Sequence, residues 1–341
     1  MAYSTIDKSS SYMSATLYTG TGASNAITGV GFQPDLVWIK NRTATDAGQI
    51  ANAASGATKY VIPSETYSQS TNAESVKSFD ADGFTVGTQN TLNTNTEEFV
   101  SWNWKGGTTS VPSGGSITPS ACSFNTTNGF GVYVYAGDTT AGSTIAHGLG
   151  VAPSVVMCKQ TGSFDDWNVY HKEVGPTKYM KLNSNAAVAT ATSRWNDTAP
   201  STTLVTLGSD SQTNGTGGML MYAWADVKGY QKAGVYQGNG NTDGTFVYTG
   251  FKPSFILIKR TNSASGWMMF DNKRLGYNPN NKYLVADTSA ADGVGTYFEI
   301  YSNGFKPQTT DGEWNGSGDT YVYLAVGQSI VASNGVVATA Y

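Results

Sequence analysis

Two histidines, His147 and His171, are the only imidazoles the chain could offer a nucleophilic relay, and neither lies in a nucleophile motif. His147 opens the turn His147–Pro153, whose counterparts Gly29–Pro34 and Thr249–Pro253 carry no histidine. Local hydrogen bonding is therefore expected of it, not catalysis. His171 closes a short strand after Trp167–Tyr170 and is read the same way, with Asp165 and Asp166 close by. Carboxylates for glycoside hydrolysis exist at Glu97 with Glu98, Asp165 with Asp166, and Asp311 with Glu313. Consecutive residues on a strand point to opposite faces, so neither adjacent pair makes a dyad alone. Asp80–Gly83 and Thr310–Gly312 resemble fragments of calcium loops but lack the further spaced ligands, and they read as turns. Gly238–Gly244 reads as a hairpin loop without the lysine or helix of a phosphate cradle. The chain is thus expected to be no enzyme, with no metal and no cofactor.

Cys122 and Cys158 are the only cysteines. Cys158 occupies a position held elsewhere by Ile39 and Ile258, so it reads as a small buried hydrophobe, and nothing requires a disulfide. Among the aromatics, Trp167 and Trp267 stand at one offset after Pro153 and Pro253, where the first copy has Gly48; core packing within each unit is expected. Trp195, Tyr277 and Trp314 lie in loop-like, Asn- and Gly-rich surroundings and are the candidate glycan-contact aromatics.

The elements that must position these groups recur. Three prolines open apolar runs that close on lysine: Pro34–Lys40, Pro153–Lys159 and Pro253–Lys259. Upstream of each stands an aromatic-x-Gly step, Tyr18 and Gly20, Tyr135 and Gly137, Tyr236 and Gly238. Downstream come the strand-like runs Phe99–Trp102, Met221–Trp224 and Tyr321–Leu324. Three landmarks in one order, three times, describe a repeat of about a hundred residues, long enough for each copy to be a domain. The runs do not alternate, so their strands should be covered on both faces. Proline fits the first residue of a strand. The terminal lysine is expected to lay its stem on the apolar edge and hold its ammonium in solvent.

Gly 40 and Tyr 20 among 341 residues, with few helix-forming stretches, favour short strands and tight turns. The fold expected is all-β: three tandem related sandwiches of jelly-roll type. Their divisions fall at an N-terminal arm (1–14), repeat 1 (15–105), a Gly/Ser/Thr linker (106–116), repeat 2 (117–227), repeat 3 (228–328) and a tail (329–341). The short join between repeats 2 and 3 predicts that they pack together while repeat 1 is tethered loosely. The tail has a strand-like flavour and would add an edge strand or dock on a neighbour. Charged residues make up only 13%, and the net charge of -4 gives no basic field, so nucleic acid is not an expected partner. No run of eighteen apolar residues occurs and no secretion signal opens the chain, so no membrane insertion and synthesis in the cytosol are expected.

Several phrases, Ile27–Arg42, Val100–Lys105, His147–Pro153, Phe246–Pro253 and the opening Met1–Ile6, make the chain similar to a family of bacteriophage virion proteins of marine phages. The resemblance spans nearly the whole chain and brings no agreed catalytic residues. It departs at Thr43–Gly48, where relatives tend to carry a His-containing strand start, making the first copy the most degenerate. What the resemblance implies is a non-enzymatic structural protein on the particle surface, made in the host cytoplasm. It would be a tail fibre or adhesin, or a capsid decoration or head fibre. Partners would be capsid or tail proteins, copies of itself (a trimer for a fibre) and host surface glycans. The alternatives are a virion-associated glycan depolymerase and a stand-alone carbohydrate-binding protein.

Overall fold

The computed structural model describes residues 4–274, 278 and 280–331. The chain is all-β, with antiparallel sheets packed as sandwiches and, among the described residues, only three α-helices of four residues, Asn90–Asn93, Thr192–Trp195 and Ser211–Asn214, and one 3-10 turn, Ser9–Ser11. The first sheet runs, in spatial order, Met13–Thr19, Glu98–Trp104, Leu36–Asn41, Gln49–Asn52, Lys59–Val61 and Ser70–Thr71. The second runs Ala121–Asn125, Phe130–Tyr135, Met219–Ala225, Pro153–Gln160 and Asn168–His171. The third begins Gln231–Gln237, Thr320–Ser329, Phe251–Arg260 and Trp267–Asp271, and four further strands carry it round to Val247–Tyr248. One pairing order, early strand, return strand, Pro-led strand and hairpin partner, therefore occurs in all three sheets. The register recurs as well, with Leu36 opposite Trp104, Val155 opposite Trp224 and Phe255 opposite Val326.

The non-alternating runs are explained by what lies on each face. Leu36 and Trp38, Val155 and Met157, and Phe255 and Leu257 all point into one core shared by the three sheets. Val37 and Ile39 point the other way, into a local core under the small sheet of Asn25–Ile27, Gly83–Val86 and Val76–Asp80. Val156 and Cys158 do likewise beneath the pair Thr144–Ala146 and Leu204–Thr206, and Ile256 and Ile258 beneath Val247–Tyr248 and Gly304–Pro307. Each such side chain contributes about 1.5–3 kcal/mol on burial. The shared core is aromatic at its centre: Trp104 meets Trp224 edge-on at 6.1 Å between ring centroids and Phe255 at 5.3 Å.

The three lysines do not reach solvent. Lys40, Lys159 and Lys259 are buried, and each donates across a boundary between sheets. Lys159 Nζ lies 2.9 Å from the carbonyl oxygen of Thr66, Lys259 Nζ 2.9 Å from that of Asn185, and Lys40 Nζ 2.5 Å from that of Thr288. The second sheet's lysine thus holds a loop of the first, the third's holds one of the second, and the first's holds one of the third. Backbone bonds return the contact two residues after each lysine: Gln69 N–H to Thr161, Val188 N–H to Thr261 and Asp292 N–H to Arg42. A buried ammonium needs acceptors, and these loop carbonyls supply them.

Trp167 and Trp267 also bridge sheets instead of packing only within them. Both sit in the shared core, and their indole N–H groups donate to Ile62 (3.0 Å) and Lys181 (2.8 Å). At Gly48 the ring is absent, and a Cβ there would stand 2.7 Å from Lys40 Cγ. The boundary between first and third sheets is instead ionic. Arg274 binds Asp271 and Asp292, Arg42 binds Asp292, and the Trp102 indole donates to Asp271 at 3.0 Å.

Two expectations are corrected. The first sheet is not loosely tethered, and the Gly-rich stretch after Lys105 is pinned. Gly106 N–H donates to Asp35 Oδ2 at 2.7 Å, and Thr108 and Phe124 exchange backbone bonds. Residues 4–14 do not stand off as an arm: Ile6 and Met13 enter the shared core, and Ser9 N–H donates to Gln328. Of the tail, Ser329 ends a strand, and residues 332–341 lie outside the described residues.

Candidate ligand cleft

The recurring Tyr-x-Gly step is half of a motif whose other half is a buried asparagine. Tyr18, Tyr135 and Tyr236 hydroxyls donate to the carbonyls of Leu92, Thr213 and Trp314, the residues just before Asn93, Asn214 and Asn315. Each asparagine Oδ1 accepts the backbone N–H following the glycine, from Thr21, Asp138 or Asn239. Each Nδ2 donates to two backbone carbonyls: Ala23 and Gly87, Thr140 and Gly208, Asn241 and Thr309. A Cβ on Gly137 would lie 2.2 Å from the Asn214 carbonyl carbon, so the step admits glycine only. These asparagines, which sequence reasoning did not single out, tie the loops at the rim of each sandwich.

Both histidines are engaged in hydrogen bonds to backbone groups. His147 Nδ1 accepts from Leu149 N–H at 3.1 Å and its Nε2 faces the Ser201 carbonyl, the local turn role expected. His171 Nδ1 accepts from Glu173 N–H and its Nε2 meets the Tyr323 carbonyl of the third sheet at 3.1 Å. Burial holds the His171 imidazole down to about 4. Both thiols are free and buried; burial pushes Cys158 up to about 12.

Of the acid pairs, Glu97 accepts from Asn41, Glu98 pairs with Arg42, and Asp166 pairs with Lys181 at 2.6 Å. Asp82 accepts from Gly29 and Gly31 N–H groups, a turn role. Trp195 and Trp314, expected on loops facing solvent, are buried in the second and third local cores. The short helix Thr192–Trp195 and the hydrogen-bonded turn Asp311–Asn315 send their rings inward, so neither can stack on a sugar directly. Tyr277 lies outside the described residues.

What the sequence did not reveal is that Glu313 and Asp287 line one cleft. It measures about 560 Å³ and brings Asn183–Asn185, beside the second sheet, against Gly266, Met268, Tyr283, Val285, Asp287, Thr288 and Glu313. Its groups are held from behind. Glu313 Oε2 accepts from Ser265 Oγ (2.7 Å) and Gly266 N–H (3.0 Å), and Asp287 Oδ1 accepts from Trp267 N–H (2.7 Å). Trp314 meets the Tyr283 ring edge-on at 5.1 Å and so props it. Burial raises the Asp287 carboxyl above its ordinary range, opposed by the Trp267 amide and the Lys259 charge. Lys259 lies near the cleft, donating to the carbonyls of Asn185 and Ser265. Burial lowers it to about 8. A broader groove of about 670 Å³ follows Gln231–Gln237 past Lys172, Phe246 and Tyr248. Among the described residues no group of three or more His, Cys, Asp or Glu gathers to hold a metal, and no helix is long and apolar enough to cross a membrane.

Fold and cleft together define an all-β protein of three sheets around one core, with a polar groove between the second and third. The chain belongs to the family described as a domain of unknown function (DUF7483), whose pattern matches residues 8–329. No curated protein matches it significantly.

Proposed function

We propose that the protein is a non-enzymatic structural component of a bacteriophage particle, exposed on its surface as a tail fibre or adhesin or as a capsid decoration. The observation that carries this reading is the closed cycle of lysine contacts around a shared aromatic core. It ties three sheets into one body, which suits a component of a particle surface. The resemblance of phrases such as Ile27–Arg42 to virion proteins supports the same reading, as does a composition poor in charge, suited to broad contacts with neighbouring subunits. Three related sandwich units, copied in tandem, are part of the proposal and are supported by the recurring pairing order. Partners on this reading are capsid or tail proteins, further copies of the chain, and glycans of the host surface. Antibody labelling of intact, purified particles tests it: label on heads or tails is expected, and a protein that stays with the host lysate and never with particles overturns it.

The depolymerase reading gains one observation, Asp287 and Glu313 in a single cleft. Both already serve as acceptors for backbone amides, which favours a binding role for them. Release of reducing ends from host polysaccharide would reverse that order.

A further inference from the structure

We propose that the cleft between Asn183–Asn185 and the segment Tyr283–Thr288 binds an uncharged saccharide and discriminates against acidic ones. The inference rests on the reading above only for the source of the sugar, a host surface glycan.

The chemistry of the lining carries it. A sugar presents hydroxyls that both donate and accept, alternating with apolar C–H faces. The cleft offers carboxylate acceptors at Asp287 and Glu313, amides and hydroxyls at Asn185, Ser184 and Thr288, and an apolar wall of Tyr283, Val285 and Met268. Its volume of about 560 Å³ falls within the range of about 300–1,000 Å³ usual for small-ligand sites. The polar groups are fixed in advance, since Ser265, Gly266 and Trp267 hold the two carboxylates and Trp314 backs the tyrosine. Pre-fixed groups lower the ordering cost of binding.

Charge decides which sugars. Two carboxylates line the cleft, and the two buried lysines beside it direct their ammoniums at backbone carbonyls, Lys259 at those of Asn185 and Ser265 and Lys40 at that of Thr288. A uronate, sialate or phosphate would meet like charge, while both ammoniums are taken up by backbone carbonyls.

Asn185 suits the test. Its side chain is exposed, and its structural duty is discharged by its backbone carbonyl, which accepts from Lys259 and from Ser265 N–H at 2.8 Å. The full-length protein is titrated, by saturation-transfer NMR and calorimetry, with gluco-, galacto-, manno- and N-acetylglucosamine oligosaccharides, and in parallel with oligogalacturonate and sialyllactose. Saturable binding of at least one neutral oligosaccharide is expected, with acidic ones at least about tenfold weaker. Asn185→Trp, which fills the cleft, should weaken binding at least about tenfold while the thermal midpoint holds; Ser184→Phe serves if the first variant fails to fold. No neutral oligosaccharide binding, equal binding by the filled variants, or a preference for the acidic sugars would each overturn the proposal. Particle labelling is unaffected by any of these results, so the two readings fail separately.

Discussion

Lys259 and Asn185 are joined across the boundary between the third and second sheets, ammonium to carbonyl, at 2.9 Å. Lys40 and Lys159 make the corresponding contacts, and burial lowers all three to about 8. The unfolded chain keeps those protons to about 10.4. Between these values it binds more protons than the folded protein, so stability rises with pH. Above about pH 10 the unfolded tyrosines ionise, whereas the buried ones, such as Tyr135 and Tyr222, are held above the ordinary value and resist, which reverses the slope. Thermal melts should show the midpoint climbing from pH 8 to about 9 and falling beyond about 10. Lys259→Met should flatten the climb; a midpoint that declines steadily from pH 8 contradicts the argument.

At acid pH the slope comes partly from His171. Its folded value of about 4 lies below an unfolded one of about 6.5. The unfolded chain therefore takes the proton first, and stability is lost as pH falls through that window. Carboxylates titrate there too, so the informative quantity is a difference. His171→Gln should lose less stability than the parent between pH 6.5 and 4.5, read by urea unfolding at each pH.

Asn214 satisfies Asp138 N–H and the carbonyls of Thr140 and Gly208 from a fully buried position. Asn214→Leu strands them, at about 1–3 kcal/mol each where water cannot enter. A loss of at least about 3 kcal/mol in denaturant unfolding is expected. Gly137→Ala should be similarly severe, while Gly217→Ala, whose Cβ would meet nothing closer than 3.8 Å, should be near neutral.

Trp104 touches rings from the other two sheets, so its removal tests whether the sheets unfold together. Trp104→Ala should cost about 3–5 kcal/mol. Tryptophan fluorescence and far-UV circular dichroism should still report one coincident transition. Separate transitions would mean independently stable sheets.

Much of the fold was legible because the Pro-led runs refuse to alternate. Four apolar residues in a row can be reconciled with a strand only if both faces are dry, and Leu36–Ile39 obey that rule. What period and composition could not say is that the second cover is the other two sheets. Lys40, Lys159 and Lys259 were misjudged because lysine ordinarily reaches for water; here the acceptors come from loops 248, 93 and 74 positions away. Trp195 and Trp314 defy their Asn- and Gly-rich neighbourhoods, which suggest open loops, because each turn sends its ring inward even where, as at Asn196, the neighbour itself is exposed. Asp287 and Glu313 carry no shared spacing, and only the third sheet's curl brings them to one cleft.

The cyclic order of the lysine contacts bears on how the chain is made. Synthesis delivers Lys40 and Trp102 long before Thr288 and Asp271, the groups that receive them. Until the last third leaves the ribosome, the first two sheets can close only on each other, and the surfaces that meet the third stay open. The nascent polypeptide must carry Trp102 without its partners Asp271 and Phe255 until late in translation, a vulnerable interval in which chaperone binding and fast release matter more than final stability.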